Sequence, residues 1–330
     1  MMKIIITGSA GFIGMHSCMK YLNSNFSVLG IDNLNTYYDK KLKLKRLQLL
    51  KKNKRFQFKK IDISDFDKLK SIFKKFKPDF VLHLAAQAGV RHSIVHPEDY
   101  TKSNLVGFAN ILECSKLVKI KHLIFASSSS VYGDTKKYPL SENQKLNSPI
   151  SYYAATKLSN ELMAHSYSHI HHLPSTGLRF FTVYGPWGRP DMALFLFTDA
   201  IKKNKKIKLF NGGNMVRDFT YIDDIVNSIF KLTKKNPKKS IKNKSEKAPF
   251  RVLNIGSNNP INIKRYIKII EGYLQKKGKK INYPMQKGDV KYTHADLRKL
   301  KKTIQLKKSS TKLQVGIKNF ISWHNKYYGK

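Results

Sequence analysis

Tyr153 and Lys157 stand four residues apart in a segment patterned as a helix, which puts a phenol and an ammonium on one helical face. A cation beside a phenol lowers its pKa from about 10 toward the working range, so the tyrosine can act as a general base at an alcohol. In a chain this rich in lysine, the pair alone is a weak signal. A run of hydroxyls, Ser127-Ser128-Ser129-Ser130 followed by Val131-Tyr132-Gly133, closes a predicted strand. Ligands bind at such strand ends in parallel sheets, and these hydroxyls can share a proton network with Tyr153. A third constellation, Gly8-Ser9-Ala10-Gly11-Phe12-Ile13-Gly14, lies between a predicted strand and a predicted helix. Glycines there let the backbone approach a pyrophosphate, which then sits on the positive helix N-terminus. Asp32 ends the next strand. A carboxylate at that place accepts from both ribose hydroxyls of an adenosine and repels a 2′-phosphate, which favours NAD over NADP.

The elements that must position these groups are legible in the apolar pattern. Short β-branched and aromatic runs at 3–7, 27–31, 56–61, 80–84, 122–126 and 176–180 predict buried strands. Helical patterns fall between them at about 12–23, 39–52, 65–76, 98–118 and 151–171. Alternation of this kind predicts an α/β fold, a Rossmann-like doubly wound parallel sheet with a smaller C-terminal substrate-binding lobe. The expected division is 1–183 for NAD binding and 184–330 mainly for the substrate. Loops are expected at 185–190 and 211–214, and an exposed Lys-rich loop at 234–249.

Composition narrows the class. Hydrophobic residues make up 41% of 330, enough for a sizeable core, which excludes a wholly disordered chain. The net charge is +42, and nine of the 63 cations are arginine. Arginine is the base-reading, bidentate residue, and the lysines are scattered over the whole chain. The charge therefore reads as solvated faces, and no specific nucleic-acid partner is expected. Two cysteines, Cys18 and Cys114, make no disulfide framework and point to a reducing compartment. No apolar run approaches the roughly 18 residues of a membrane span. A cytoplasmic protein without a membrane partner is the expectation.

These residues carry a resemblance. The glycine pattern, Asp32, the serine run and the Tyr153/Lys157 pair look like an extended short-chain dehydrogenase/reductase acting on nucleotide sugars. Longer strings at 32–39, 83–100, 152–169, 177–194, 217–225 and 285–290 are similar to UDP-glucuronate 4-epimerases. The similarity runs nearly end to end and breaks mainly at 234–249. It implies that Tyr153 is the catalytic base, that Lys157 lowers its pKa and holds the nicotinamide ribose, and that Ser128 hydrogen-bonds the sugar's 4-oxygen. It assigns Gly8, Gly11, Phe12, Ile13 and Gly14 to the pyrophosphate, and Asp32, Asn33 and Asn35 to the adenosine ribose end. Asp62 and Ile63 would meet adenine, Ala85, Ala86 and Gln87 would line the cofactor cleft, and Asn104 would lie beneath it. Ser129, Ser130, Thr182 and Arg189 would hold a sugar carboxylate, Arg217 the diphosphate, and Phe210 the uracil. The Pro-Gly-Asp element of relatives reads Lys287-Gly288-Asp289, which places Asp289 at the diphosphate end. The implied activity is NAD-dependent 4-epimerisation of UDP-glucuronate to UDP-galacturonate by a homodimer.

Other readings differ at single positions. Decarboxylases and 4,6-dehydratases of this kind place Glu before the Val-Tyr-Gly of the serine motif, where this chain has Ser130. A neutral-sugar 4-epimerase would not need the cation and hydroxyl that 180–190 offer. A Lys-rich nucleic-acid binder on the same scaffold would have no use for Tyr153 and Lys157. Four histidines, His165, His169, His171 and His172, crowd one helix end, and they read as polar filler, not metal ligands. Arg91 and His92 follow the fourth strand, near the expected cleft.

Overall fold

The computed structural model describes residues 1–238, 248–306 and 310–329, so the 239–247 part of the expected Lys-rich loop lies outside the described residues. The first half runs β1 (Lys3–Thr7), α1 (Phe12–Asn23), β2 (Ser27–Asp32), α2 (Lys40–Lys51), β3 (Phe56–Lys60), α3 (Phe66–Phe76) and β4 (Phe80–His83). Short helices α4 (His92–Val95) and α5 (Pro97–Tyr100) lead through a π-helical turn, Thr101–Val106, into α6 (Gly107–Leu117). Then come β5 (His122–Ser128), α7 (Tyr152–His171), β6 (Ser175–Phe180) and β7 (Thr182–Tyr184). The second half adds α8 (Ala193–Lys202), β8 (Ile207–Phe210), β9 (Val216–Tyr221), α9 (Ile222–Thr233), β10 (Phe250–Ile255) and β11 (Pro260–Asn262). It ends with α10 (Ile263–Leu274), β12 (Lys280–Tyr283), α11 (Arg298–Ile304) and α12 (Leu313–Tyr328).

Among the described residues the main sheet has seven strands in the order β10-β6-β5-β4-β1-β2-β3, every pairing parallel. The apolar runs are unbroken because both faces are covered. Ile5, Leu29, Val81, Leu123 and Phe125 face α3 and α6, meeting Leu69, Phe73, Phe108 and Ile111. Ile4, Ile6, Val28, Leu82 and Ile124 point the other way, into a core shared with Met15 and Cys18 of α1 and with Ile225 and Ile229 of α9. Alternation along each strand thus feeds two cores at once. The order in which strands are added reverses between β1 and β4, and that switch point opens a crevice at the strands' C-terminal ends.

The chain crosses twice between the two halves. α9 returns from the second half to pack on α1, and β10 joins the main sheet beside β6. The remaining C-terminal elements form a three-stranded sheet, β11-β9-β7, and a parallel pair of β8 with β12.

The predicted helix over 98–118 is not continuous. The π-helical turn interrupts it, and Asn104 inside that turn is only 1% exposed. Its amide accepts from the Gln87 N–H (2.8 Å) and donates to the Gln87 carbonyl (3.1 Å) and to Thr156 Oγ1 (3.1 Å). Widening one turn lets this side chain serve the loop after β4, a device that recurs beside functional sites.

Candidate active site

The site is a cleft of about 650 Å³ at the switch point, between the seven-stranded sheet and the second half of the chain. Its first wall is the glycine turn. Gly8 has φ of +69°, and a Cβ there would stand 2.8 Å from the Ala85 nitrogen; a Cβ on Gly14 would stand 2.0 Å from the Gly8 carbonyl. Only glycine allows this closeness. α1 begins immediately beyond, its N-terminus at Gly11 uncapped by any side chain, so its first N–H groups face the cleft as an anion site. Asp32, at the end of β2, accepts from the Ala10 N–H (3.1 Å) and the Leu34 N–H (2.8 Å). Burial pushes its carboxyl above the usual range, against those hydrogen bonds and the Lys43 and Arg46 charges. Asn35 sits one turn on, held by Lys43 Nζ at 2.6 Å and donating to Gln87 Oε1 at 3.4 Å. A buried acid, an uncapped helix start and a glycine cradle are a donor and acceptor set that fits NAD.

The second wall carries the tyrosine and lysine. Ser151 caps α7 by accepting from the Ala154 N–H at 3.1 Å, which sets Tyr153 and Lys157 on the helix's cleft face. Lys157 is 2% exposed, donates to the Ala126 carbonyl at 2.9 Å, and burial lowers its pKa to about 8. The sequence predicts that Lys157 pulls the Tyr153 phenol down. Here burial dominates and raises it, while a hydrogen bond with Ser128 and the charge of Arg189 act to lower it. The physical reason is desolvation: a dry phenol is costly to ionise, and the ammonium is spent on a β5 carbonyl.

β5 extends through Ser128, so two of the four serines are strand residues and the next two begin a 3₁₀ turn, Ser129–Tyr132. Ser128 Oγ accepts from the Ser130 N–H at 3.1 Å. Ser127 points behind the strand instead, donating to Glu161 Oε1 at 2.5 Å. Glu161 is locked to Arg179 through two bonds of 2.9 and 2.7 Å, and Arg179 also donates to the Tyr132 hydroxyl at 3.0 Å. This buried pair anchors the serine strand to α7 from below. Beneath β1, Thr7 Oγ1 accepts the Leu84 and Ala85 N–H groups, both at 3.2 Å, and lies 2.8 Å from His83 Nδ1. Burial, then the Lys157 charge, lower the His83 pKa to about 3. It is therefore neutral, and the threonine proton is free to point at it.

The third wall comes from the second half. Thr182 and Arg189 line the cleft, with Phe210, Arg217 and Asp289 further out. Asp289 holds two cations, Arg91 at 3.2 Å and Arg217 at 3.8 Å, and Arg91 lies 4.9 Å over the Phe210 ring. Arg91 thus belongs to the cleft. Arg189 is held by Asp191 through bonds of 3.0 and 2.5 Å, and Asp191 accepts from the Tyr37 hydroxyl at 3.2 Å. Asp191 and Tyr37 were not singled out from the sequence; they lie inside recognisable strings but carry no motif of their own.

The cleft brings together Gly8, Gly11, Phe12, Ile13, Gly14, Asp32, Asn33, Asn35, Ile63, Ala85, Ala86, Gln87, Ser128, Ser129, Ser130, Tyr153 and Lys157 with that third wall. Two predicted residues do not face it. Asp62 turns its carboxylate to the Ser64 N–H (3.0 Å) and hydroxyl (2.8 Å) and to Asn33 Nδ2 (3.1 Å). Asn104 is consumed by the Gln87 backbone and acts from underneath.

A glycine turn at the switch point of a parallel sheet, with a buried acid on the next strand and a tyrosine–lysine helix opposite, defines a dinucleotide-dependent enzyme of the short-chain dehydrogenase/reductase kind. The chain belongs to the NAD dependent epimerase/dehydratase family, whose model matches residues 4–256. It is 48% identical to Protein CapI of Staphylococcus aureus over the full length of both. It is 41% identical to a probable UDP-glucuronate 4-epimerase of Rhizobium meliloti, over 99% of this chain and 98% of that one. Among solved structures, UDP-glucuronic acid 4-epimerase from Bacillus cereus, in complex with UDP-glucuronic acid and NAD, superposes with a TM-score of 0.89. That match is at 34% identity over 99% of this chain and all of the other.

Proposed function

We propose that the chain is an NAD-dependent isomerase that interconverts UDP-glucuronate and UDP-galacturonate at C4. The observation that carries this is one cleft lined together by an NAD-shaped cradle, Ser128, Tyr153 and Lys157, and the Arg189 cation, whose charge acts on that phenol. NAD, when bound, would supply the acceptor for a hydride, one proton with two electrons, leaving C4 and returning to its other face.

Tyr153 takes the proton of the sugar 4-hydroxyl while Ser128 holds the oxygen. Lys157 keeps positive charge beneath both and offers its ammonium to the nicotinamide ribose. C4 then carries a carbonyl, and the sugar swings about its diphosphate bonds, which Arg217 grips. Tyr153 gives the same proton back, and no net oxidation results. Because the 4-keto uronate is a β-keto acid, it loses CO₂ when its C5–C6 bond aligns with the carbonyl π system. Arg189 with Ser129, Ser130 and Thr182 holds the carboxylate away from that alignment. Ser130, in place of an acid, provides no group to relay a proton at C5, which favours epimerisation over decarboxylation or dehydration.

α4 and α7, with the π-helical turn between them in sequence, expose Ile94, Val95, Val106, Leu162 and Ile170. Apolar exposure of this size on neighbouring helices supports a homodimer. Among the described residues no helix is long and apolar enough to cross a membrane, and two buried free thiols, Cys18 and Cys114, fit a reducing cytoplasm. The test is NMR of the purified protein with UDP-glucuronate and no added cofactor. UDP-galacturonate without any UDP-pentose is expected. UDP-xylose would replace this reading with a decarboxylase, and turnover of UDP-glucose alone would replace the substrate.

A further inference from the structure

The loop 185–191, which carries Arg189, is held from the cofactor side of the cleft as well as by its own lobe. The carbonyls of three successive residues are captured from the cofactor side of the cleft. His16 Nε2 of α1 lies 3.0 Å from the Pro186 carbonyl, and Arg46 Nη2 of α2 donates to the carbonyls of Trp187 at 2.5 Å and Gly188 at 3.2 Å. Trp187 has φ of +62°, in the left-handed region, so the loop adopts a conformation its sequence disfavours and that outside contacts must maintain. Two further rings, Trp323 and Tyr327 of α12, pack on the Trp187 side chain, each at 5.2 Å.

Arg46 has an unusual environment. It is 0% exposed, and among the described residues no carboxylate stands within ion-pair distance of it. Its other guanidinium nitrogen, Nη1, donates to the Ala10 carbonyl at 3.0 Å and to the Tyr38 hydroxyl at 2.7 Å. Ala10 belongs to the glycine turn, Tyr38 to the segment after β2. A buried cation is costly unless hydrogen-bonded, and here Nη1 and Nη2 bond to three backbone carbonyls and a phenol in three separate segments, while Nε is buried without a partner. Burial lowers the His16 pKa to about 4, so its ring is neutral and the Nε2–H tautomer is the one that can donate to Pro186.

We propose that Arg46, assisted by His16, is a positioning residue that sets where the Arg189 guanidinium meets the sugar carboxylate, by pinning the 186–188 carbonyls to the pyrophosphate turn. The inference rests on the reading of Arg189 as the carboxylate clamp. The chain from Ala10 through Arg46 to Gly188 is one side chain long, and Arg189 follows Gly188 directly. Any drift of the loop is a drift of the clamp. Asp191 and Tyr37 fix the guanidinium locally, but both of their supports move with the same two segments that Arg46 ties together.

Arg46→Lys tests this in the NAD-containing holoenzyme. One ammonium cannot span four acceptors in three segments. The readouts are the affinity for UDP-glucuronate relative to UDP-glucose, by titration calorimetry, and the share of turnovers lost as CO₂. The affinity ratio is expected to fall about tenfold and the CO₂ share to rise, less than the roughly hundredfold cost of a full 1 Å misplacement because Asp191 still holds the guanidinium locally. Arg189→Ala should collapse the same ratio, and adding Arg46→Lys to it should change the ratio no further, since Arg46 acts only through Arg189. If Arg189→Ala collapses the ratio while Arg46→Lys leaves it at wild type, or if the two losses add, the positioning role is overturned and the clamp survives. If Arg189→Ala leaves the ratio unchanged, both fall. Should Arg46→Lys fail to fold with NAD, His16→Phe removes only the donor to Pro186 and keeps the ring. It must shift the ratio in the same direction, and an unchanged ratio overturns the proposal.

Discussion

Lys157→Met should make the protein more stable while removing its activity. The ammonium is dry, and burial takes its pKa from the ordinary 10.5 to about 8. At about 1.4 kcal/mol per pH unit, holding it charged at neutral pH costs the folded state about 3 kcal/mol. Methionine removes that cost and fills similar space, but gives up the hydrogen bond to the Ala126 carbonyl, worth about 1–2 kcal/mol. The net gain is about 1–2 kcal/mol. With an unfolding entropy of about 0.7 kcal/mol per degree for a chain of this length, Tm rises by about 2 °C. The pH dependence carries a sharper signature. The folded-state pKa lies below the unfolded one, so between about 8 and 10.5 the unfolded chain binds more protons and the wild type gains stability as pH rises. Below pH 8 the full penalty is present. The variant lacks this gain, and its advantage should be largest near pH 7 and close toward pH 10. Differential scanning calorimetry of both proteins, freed of NAD, across pH 7–10 measures it. A variant that melts below the wild type at pH 7, or a gap that does not narrow with pH, would refute the account of Lys157 as an unpaired buried cation.

Tyr153→Phe should lose turnover by about a hundredfold or more while retaining NAD, checked by NMR of product and the absorbance of bound cofactor; an active variant would remove the proposed base. Gly14→Ala would place a Cβ 2.0 Å from the Gly8 carbonyl, so the turn must open. We expect a stability loss of about 3 kcal/mol and protein that purifies without NAD, with bound cofactor and urea midpoint as the two measurements. Glu161→Ala leaves the Arg179 guanidinium buried without its counter-charge, and urea unfolding should show a loss of about 3–5 kcal/mol. A loss below 1 kcal/mol would mean the pair does not anchor the serine strand. Binding to DNA should fall steeply with salt and show no sequence preference; salt-resistant, sequence-selective binding would give the +42 charge a specific role.

The part of this protein that local sequence determined is the part whose physics is local. The six strands and the turn Gly8–Gly14 follow from apolar runs and from a backbone approach only glycine permits. Tyr153 and Lys157 share a face because a helix repeats every 3.6 residues, and Ser151 ahead of them caps that helix. Asp32 falls at a strand end that alternation alone predicts. Asn104 was placed beneath the cleft, but the π-helical turn that sends it there has no sequence signature, since it answers to the Gln87 backbone across the fold.

Tertiary structure decided what depends on segments meeting. The direction of the Tyr153 shift is one such matter, because spacing specifies neighbours and says nothing of how dry they become. The joining of Arg91 to Asp289, 198 residues apart, is another. So is the grip of Arg46 on Trp187 and Gly188, 141 and 142 residues away. In the sequence Arg46 is one cation among 63. A guanidinium acquires a role from the carbonyls that reach it, and those arrive only when α2 and the 185–191 loop close on the same turn.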